Sequence, residues 1–238
     1  MKNIILLLVC TFLFSADDKA PSQRTRDRDV DIHHIKIDVT VNLEEKSVSG
    51  NVTHTLSAFN SSLSEFELDA EDMEIHRVRL NGKDISYNHH GEKVFLSLNK
   101  PIGWDDTVKV RLDYTAHPRR GTFFIAPDSV YPGKPWQAWT QGEDTDNHHW
   151  VPIYDYPNDK ATFETILTVD KKFRAISNGE LISLKENEDG THTWHWHEHF
   201  PMVSYLISYV IGEFEKVEDS YNGIPVNYWV YDENKKEA

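Results

Sequence analysis

From Val30 onward, apolar and polar residues alternate with period two. Ile35, Ile37, Val39 and Val41 are interleaved with Lys36, Asp38, Thr40 and Asn42. Successive side chains of a strand point to opposite faces, so this pattern suits a half-buried strand and not a helix with one apolar face. Leu43-Glu44-Glu45-Lys46 reads as a turn, and Val48, Val52 and Leu56 as the returning strand. Further runs follow at 66–69, at 75–80 closed by Asn81-Gly82, at 94–98 and at 108–114. After a break they resume at 161–169, 174–177, 181–184, 191–199, 205–214 and 226–230. Short β-branched runs separated by turn residues predict an all-β fold, an antiparallel sandwich or barrel.

Composition narrows the function classes. The 39% hydrophobic and 12% aromatic shares exclude a disordered chain. A net charge of −14 argues against nucleic acid, whose phosphates need Lys and Arg. No apolar run reaches the roughly 20 residues that span a bilayer as a helix, so no membrane span is expected. Residues 1–16 carry Lys2, the apolar stretch Ile4 to Phe14 and then Ser15-Ala16. That order is the pattern of a secretory signal peptide, and it predicts export to the periplasm or the exterior. Residues 17–29 are polar and charged, an expected tether, and 30–231 is the expected β-domain.

Between Pro118 and Pro157 the alternation fails, and a long irregular segment inside a regular domain is usually functional. Its aromatics (Phe123, Phe124, Trp136, Trp139, Trp150 and Tyr154 among them) argue against disorder. Thirteen histidines raise the question of a metal. His195, His197 and His199 share one strand face, but ligands two residues apart on a strand are about 7 Å apart. That is too far for one ion, so a solvated face is expected there. His33-His34, His89-His90 and His148-His149 read as exposed or loop pairs. The helical zinc motif His-Glu-x-x-His, the Gly-x-Ser-x-Gly elbow and phosphate-binding glycine loops are all absent from the sequence. Catalytic residues and metal ligands are therefore expected to be none in this chain. The densest chemistry lies at 140–157, TQGEDTDNHHWVPIYDYP, where acids and aromatics share one loop. A carboxylate in such a setting is suited to hold an ammonium group.

Thr140, Gln141, Glu143, Asp146, Pro152, Asp155 and Pro157 fall in register with a pattern close to T-Q-x-E-x-x-D-x-x-x-x-x-P-x-x-D-x-P. This segment resembles the N-terminal domain of the aminopeptidase N family of zinc metallopeptidases, the gluzincin aminopeptidases. The flanks agree: Lys160 to Glu164, Ser177-Asn178-Gly179, and Pro201-Met202 with Ser204-Tyr205-Leu206 and Ile211 to Phe214. Tyr131 to Trp139 is similar to a bacterial branch, and the resemblance spans roughly Asp31 to Trp229.

The resemblance implies a large, saddle-like antiparallel β-sandwich with one long functional loop. It implies that Glu143 binds the free α-amino group of a peptide substrate and that Gln141 lines the same pocket. It further implies a partner, the thermolysin-like catalytic domain, which holds the zinc. The family's Gly-x-Met-Glu-Asn and His-Glu-x-x-His motifs belong to that domain and do not occur here. On this reading the chain stops before it, residues 232–238 begin the link to it, and the chain alone binds no zinc and is inactive. Two other readings fit the residues: a stand-alone extracellular β-sandwich binding module, for example for carbohydrate, and a metal-binding protein using the histidine-rich strand.

Overall fold

The structure is a computed structural model that describes residues 25–238. The expected signal peptide and the first part of the expected tether lie outside the described residues. The described residues form seventeen strands, with β1 (Val30–Asn42), β2 (Ser47–Ala58), β3 (Leu63–Asp69), β4 (Met73–Leu80), β5 (Lys83–Asp84), β6 (Ser86–His90), β7 (Lys93–Ile102) and β8 (Val108–Ala116) in the first half. The second half adds β9 (Thr122–Ile125), β10 (Gln137–Thr140), β11 (Ala161–Asp170), β12 (Arg174–Ser177), β13 (Glu180–Glu186), β14 (Thr191–Met202), β15 (Tyr209–Gly212), β16 (Glu215–Tyr221) and β17 (Ile224–Val230). An eight-stranded sheet runs β13-β14-β11-β1-β2-β8-β4-β5. A three-stranded sheet β3-β7-β6, a four-stranded sheet β12-β15-β10-β9 and the hairpin β16-β17 complete the fold.

The expected all-β sandwich is what forms. The alternation of β1 places Ile35, Ile37, Val39 and Val41 in the core. Val52 and Leu56 of β2, Val110 and Leu112 of β8, and Phe163 and Leu167 of β11 join them. The smaller sheets add Phe66, Leu68, Val94 and Leu96 on one side and Ala138, Ala175, Tyr209 and Ile211 on the other, all within one buried cluster. The β1–β2 turn is set by Asn42, whose Oδ1 accepts from the backbone N–H of Glu44 and Glu45 at 3.0 and 3.1 Å. Asn81-Gly82 makes a tight hairpin with both residues at positive φ.

Four features differ from the sequence reading. The β1–β11 ladder is parallel, with Ile37 opposite Thr165; parallel neighbours need a long crossover, and β2 to β10 intervene between them. The segment 118–157 contains β9 and β10, which pair Phe123 with Trp139; four-residue strands are too short to register as alternation. Within the expected strand 205–214 only β15 is extended, and a 3-10 turn, Ser204–Leu206, precedes it. β16 is charged on both faces and lacks an apolar period, yet Asn222-Gly223 folds it back onto β17.

Residues 25–29, expected as tether, are anchored. Arg26 donates to Asp69 at 2.5 Å and to Glu67 at 2.8 Å and lies 4.4 Å from the Tyr154 ring centre. Arg28 pairs with Asp159 and lies over Phe59. Two guanidiniums facing buried carboxylates fix this end of the chain to the sheet. At the other end, residues 232–234 form a short 3-10 turn, Asp232–Asn234. Among the described residues no helix is long and apolar enough to cross a membrane.

Leu112 is fully buried and lies opposite both Val52 and Val78. Leu112→Ala is expected to destabilise the domain by about 2–5 kcal/mol through lost transfer energy and a residual cavity. Leu184→Ala, at an exposed site on β13, is expected to change stability by less than about 0.5 kcal/mol. Urea unfolding followed by tryptophan fluorescence separates the two.

Candidate functional site

The segment 141–160 joins β10 to β11 and is held at nearly every turn by buried polar groups. At its start, the Thr140 hydroxyl accepts from the Tyr209 N–H at 2.9 Å and donates to the Tyr209 carbonyl at 3.4 Å. The Gln141 N–H donates to the Gly121 carbonyl at 2.9 Å. Two glycines are required here by space. A Cβ on Gly121, at φ +71°, would meet the Asp146 carbonyl at 1.9 Å, and one on Gly142 would meet the Tyr205 carbonyl at 2.5 Å.

Asn147, fully buried, is the hub of the loop. Its Nδ2 donates to the carbonyls of Ser204 at 2.7 Å and Ile207 at 3.0 Å. Its Oδ1 accepts from the indole N–H of Trp150 at 2.8 Å. Trp150 in turn packs edge-on against Tyr209, at 5.2 Å between ring centres. Asp155 is the second hub. It accepts from the Ser204 hydroxyl at 3.0 Å and from the backbone and ring N–H groups of His148 at 3.0 and 3.1 Å. Burial opposes a charge on His148, but the hydrogen bond and charge of Asp155, the charge of Asp69 and the Thr145 carbonyl outweigh it and raise the imidazole above its ordinary pKa. The far end is tied to β3 by a two-bond bridge between Ile153 and Asp69, at 2.8 and 2.9 Å.

Beneath the loop, His54 occupies an inward position of β2 between Val52 and Leu56. Its Nε2–H donates to the Pro152 carbonyl at 2.9 Å, while Nδ1 has no partner among the described residues. Burial without a counter-charge pushes its pKa down to about 4, so this histidine is neutral in the fold.

Against this fixed background, Gln141 and Glu143 both stand exposed, and neither side chain makes a hydrogen bond among the described residues. The peptide joining Glu143 to Asp144 is cis. The aromatics divide: Trp150 and Tyr154 are core, Phe123 stacks on Trp139 at 4.7 Å, and Tyr131 lies exposed beside Lys134. His195, His197 and His199 alternate along β14 as expected. His195 bonds Glu164 of β11 at 2.6 Å, and Glu164 also takes His34 and Lys36 of β1, forming a solvent-facing polar network. The pair His148-His149 lies in the loop as expected, and only its exposure is corrected. It is not exposed: His149 is buried and His148 half-buried, because the 3-10 turn Asn147–His149 rotates both rings against Asp155 and Asp72. Together with Glu71 they form a cluster with ligand atoms within 4.8 Å of one another. Asn147 and His54 were missed. The inward alternation of β2 points to His54, whereas no sequence pattern marks Asn147.

The family profile described as the Peptidase M1 N-terminal domain matches residues 31–206. The chain belongs to that family. The M1 domain here is 30% identical over 161 residues to "Probable aminopeptidase 1" of Saccharolobus solfataricus, covering 68% of this chain and 20% of that protein. It is 23% identical over 207 residues to leukotriene A-4 hydrolase of Xenopus laevis, covering 82% of this chain and 34% of the relative. The chain thus spans a fifth to a third of the length of these curated relatives. In fold it resembles the M1 zinc metallopeptidase of Deinococcus radiodurans bound to a Tyr-Ser-Ala substrate, with a TM-score of 0.71, 24% identity and coverage of 84% of this chain and 47% of that one. That likeness confirms the M1 N-terminal architecture.

Two outcomes follow for the M1 domain. Asn147→Ala strands two buried carbonyls and the Trp150 indole N–H, and is expected to cost about 3 kcal/mol, with faster amide exchange confined first to 141–158. His54 is neutral when folded and titrates near its ordinary value when unfolded, so the unfolded state binds more protons below about pH 6.5. Stability is therefore expected to fall between pH 6.5 and 4 by about 3 kcal/mol from this group. His54→Leu should flatten that part of the profile in urea midpoints taken at pH 7 and 4.5.

Proposed function

We propose that this chain is the substrate-recognition and scaffolding part of an exported zinc aminopeptidase that removes N-terminal residues from peptides. The observation that carries the reading is the division of labour within the signature. Thr140 and Asp155 spend their polar atoms on the domain itself, and Asp146 lies 3.7 Å from Arg120. Gln141 and Glu143 are left facing outward, on a stretch whose backbone is bonded to Gly121 through the Gln141 N–H. A carboxylate presented this way selects an ammonium, and Gln141 beside it adds a neutral donor and acceptor. Glu143 would receive the α-amino group of the peptide and Gln141 would line the first-residue pocket.

The catalytic zinc does not fit this chain: the His-Glu-x-x-His sequence is absent from its 238 residues. In this reading a thermolysin-like domain of the parent holds the metal, and the present chain contributes position, fixing where the amino end of the peptide lies. Once the ammonium is fixed, the first peptide bond falls at a set distance from Glu143, which makes the cut an exopeptidase cut. Export rests on the pattern of Met1 to Ala16.

The chain purified alone is expected to release no amino acid from aminoacyl reporters; turnover by it would overturn the scaffolding role. In the complete enzyme, Glu143→Gln is expected to lower kcat/KM about ten- to hundredfold for free-amine peptides, as a charged hydrogen bond of about 1.5–3 kcal/mol is lost. An unchanged kcat/KM would remove the role given to Glu143.

A further inference from the structure

Where the loop 141–160 meets the connection between β3 and β4, two histidines and several carboxylates converge. His148 donates its Nδ1–H to Asp155 at 3.1 Å, and His149 donates its Nδ1–H to Asp72 at 2.9 Å. A carboxylate only accepts, so each contact places the ring proton on Nδ1 and leaves the lone pair on Nε2. Both Nε2 atoms face one oxygen, Glu71 Oε2, at 3.7 and 3.8 Å. Those separations are too long for hydrogen bonds. They are near the spacing of neighbouring ligands around an ion bound at about 2.0–2.2 Å. Asp146 Oδ1 lies 4.0 Å from His149 Nε2 on the same side.

The surroundings suit an ion. The Nδ1–carboxylate contacts are the outer-shell arrangement that orients metal-binding imidazoles and raises their basicity. The orienting carboxylates are fixed: Asp155 and Asp72 side chains are 1% and 8% exposed. Glu71 is held by its other oxygen, which accepts from Arg119 at 3.1 Å. The ring of His149 is 4% exposed while Glu71 is 25% exposed, so the cluster is closed towards the protein and open towards solvent. Among the described residues, Glu71, Asp72, Asp146 and Asp155 face Arg119 and Arg120 as permanent cations, which leaves a local excess of negative charge there.

We propose that His148 Nε2, His149 Nε2 and Glu71 Oε2 form a divalent transition-metal site, with zinc the best match and Asp146 or water completing the shell. Two imidazoles and a carboxylate favour zinc over the oxygen-seeking magnesium and calcium. The site clasps the loop that presents Gln141 and Glu143 to the connection between β3 and β4. The ion therefore stabilises a junction made across the fold.

The test is zinc calorimetry and cobalt(II) absorption on the 238-residue chain after chelator treatment. One ion per chain is expected, with a tetrahedral or five-coordinate cobalt spectrum and a metal-dependent rise in Tm. His149→Ala should abolish binding. Glu71→Gln and Asp72→Asn should weaken it about ten- to hundredfold, with circular dichroism verifying the fold; Glu71→Gln, at the more exposed position, carries the test if His149→Ala fails to fold. His197→Ala, on the polar face of β14, should leave affinity unchanged. Absence of stoichiometric binding, wild-type affinity in folded Glu71→Gln, or loss of binding in His197→Ala would each overturn the proposal.

Discussion

The rest of this domain depends on how a long irregular segment satisfies its backbone away from water. A strand shares its hydrogen bonds with neighbours by construction, but a loop laid over a core has none guaranteed. Here the requirement is met by a few side chains with more than one polar atom. Asn147 serves two carbonyls and an indole, and Asp155 serves a hydroxyl, a ring and a backbone amide. His54 closes the account from below through the Pro152 carbonyl. Because these partners come from β2, the β14–β15 connection and the loop itself, the loop is tied to the sheets it bridges.

That anchoring explains why the signature is dense. Several of its positions answer to architecture: the Thr140 hydroxyl and the buried Asp155 carboxylate each fill a geometric need that another residue type would leave open. Positions with no such duty are then visible by contrast. Gln141 and Glu143 differ from Thr140 and Asp155 of the same signature in being exposed and without side-chain hydrogen bonds among the described residues, and the ligand role proposed for them rests on this contrast.

The large strands were legible because a half-buried strand writes its two faces into alternate residues, as Ile35 to Val41 show. The loop's place was legible as a failure of that alternation, and its family as a spacing of seven residues. What was hidden has a common cause. β9, β10 and β16 are too short or too charged to carry a period, and the parallel ladder of β1 with β11 joins partners far apart in sequence. Asn147 was hidden because its burial is decided by carbonyls from residues 204 and 207. His148 and His149 looked exposed because Asp72, which turns one ring inward, lies on a distant connection.

The parallel ladder has a consequence for synthesis of the chain. β1 stands in the middle of the large sheet, paired on one edge with β2 and on the other with β11. The first edge closes as soon as the hairpin emerges. The second stays open until Ala161–Asp170 has been made, and an unpaired apolar edge in the centre of a sheet is a template for the wrong partner. A chain translated from its N-terminus thus carries an exposed β1 edge through most of its own production. The domain's high share of sequence-distant pairing makes it a slow folder by topology, and its strong net negative charge, which keeps like chains apart, protects the interval during which that edge waits.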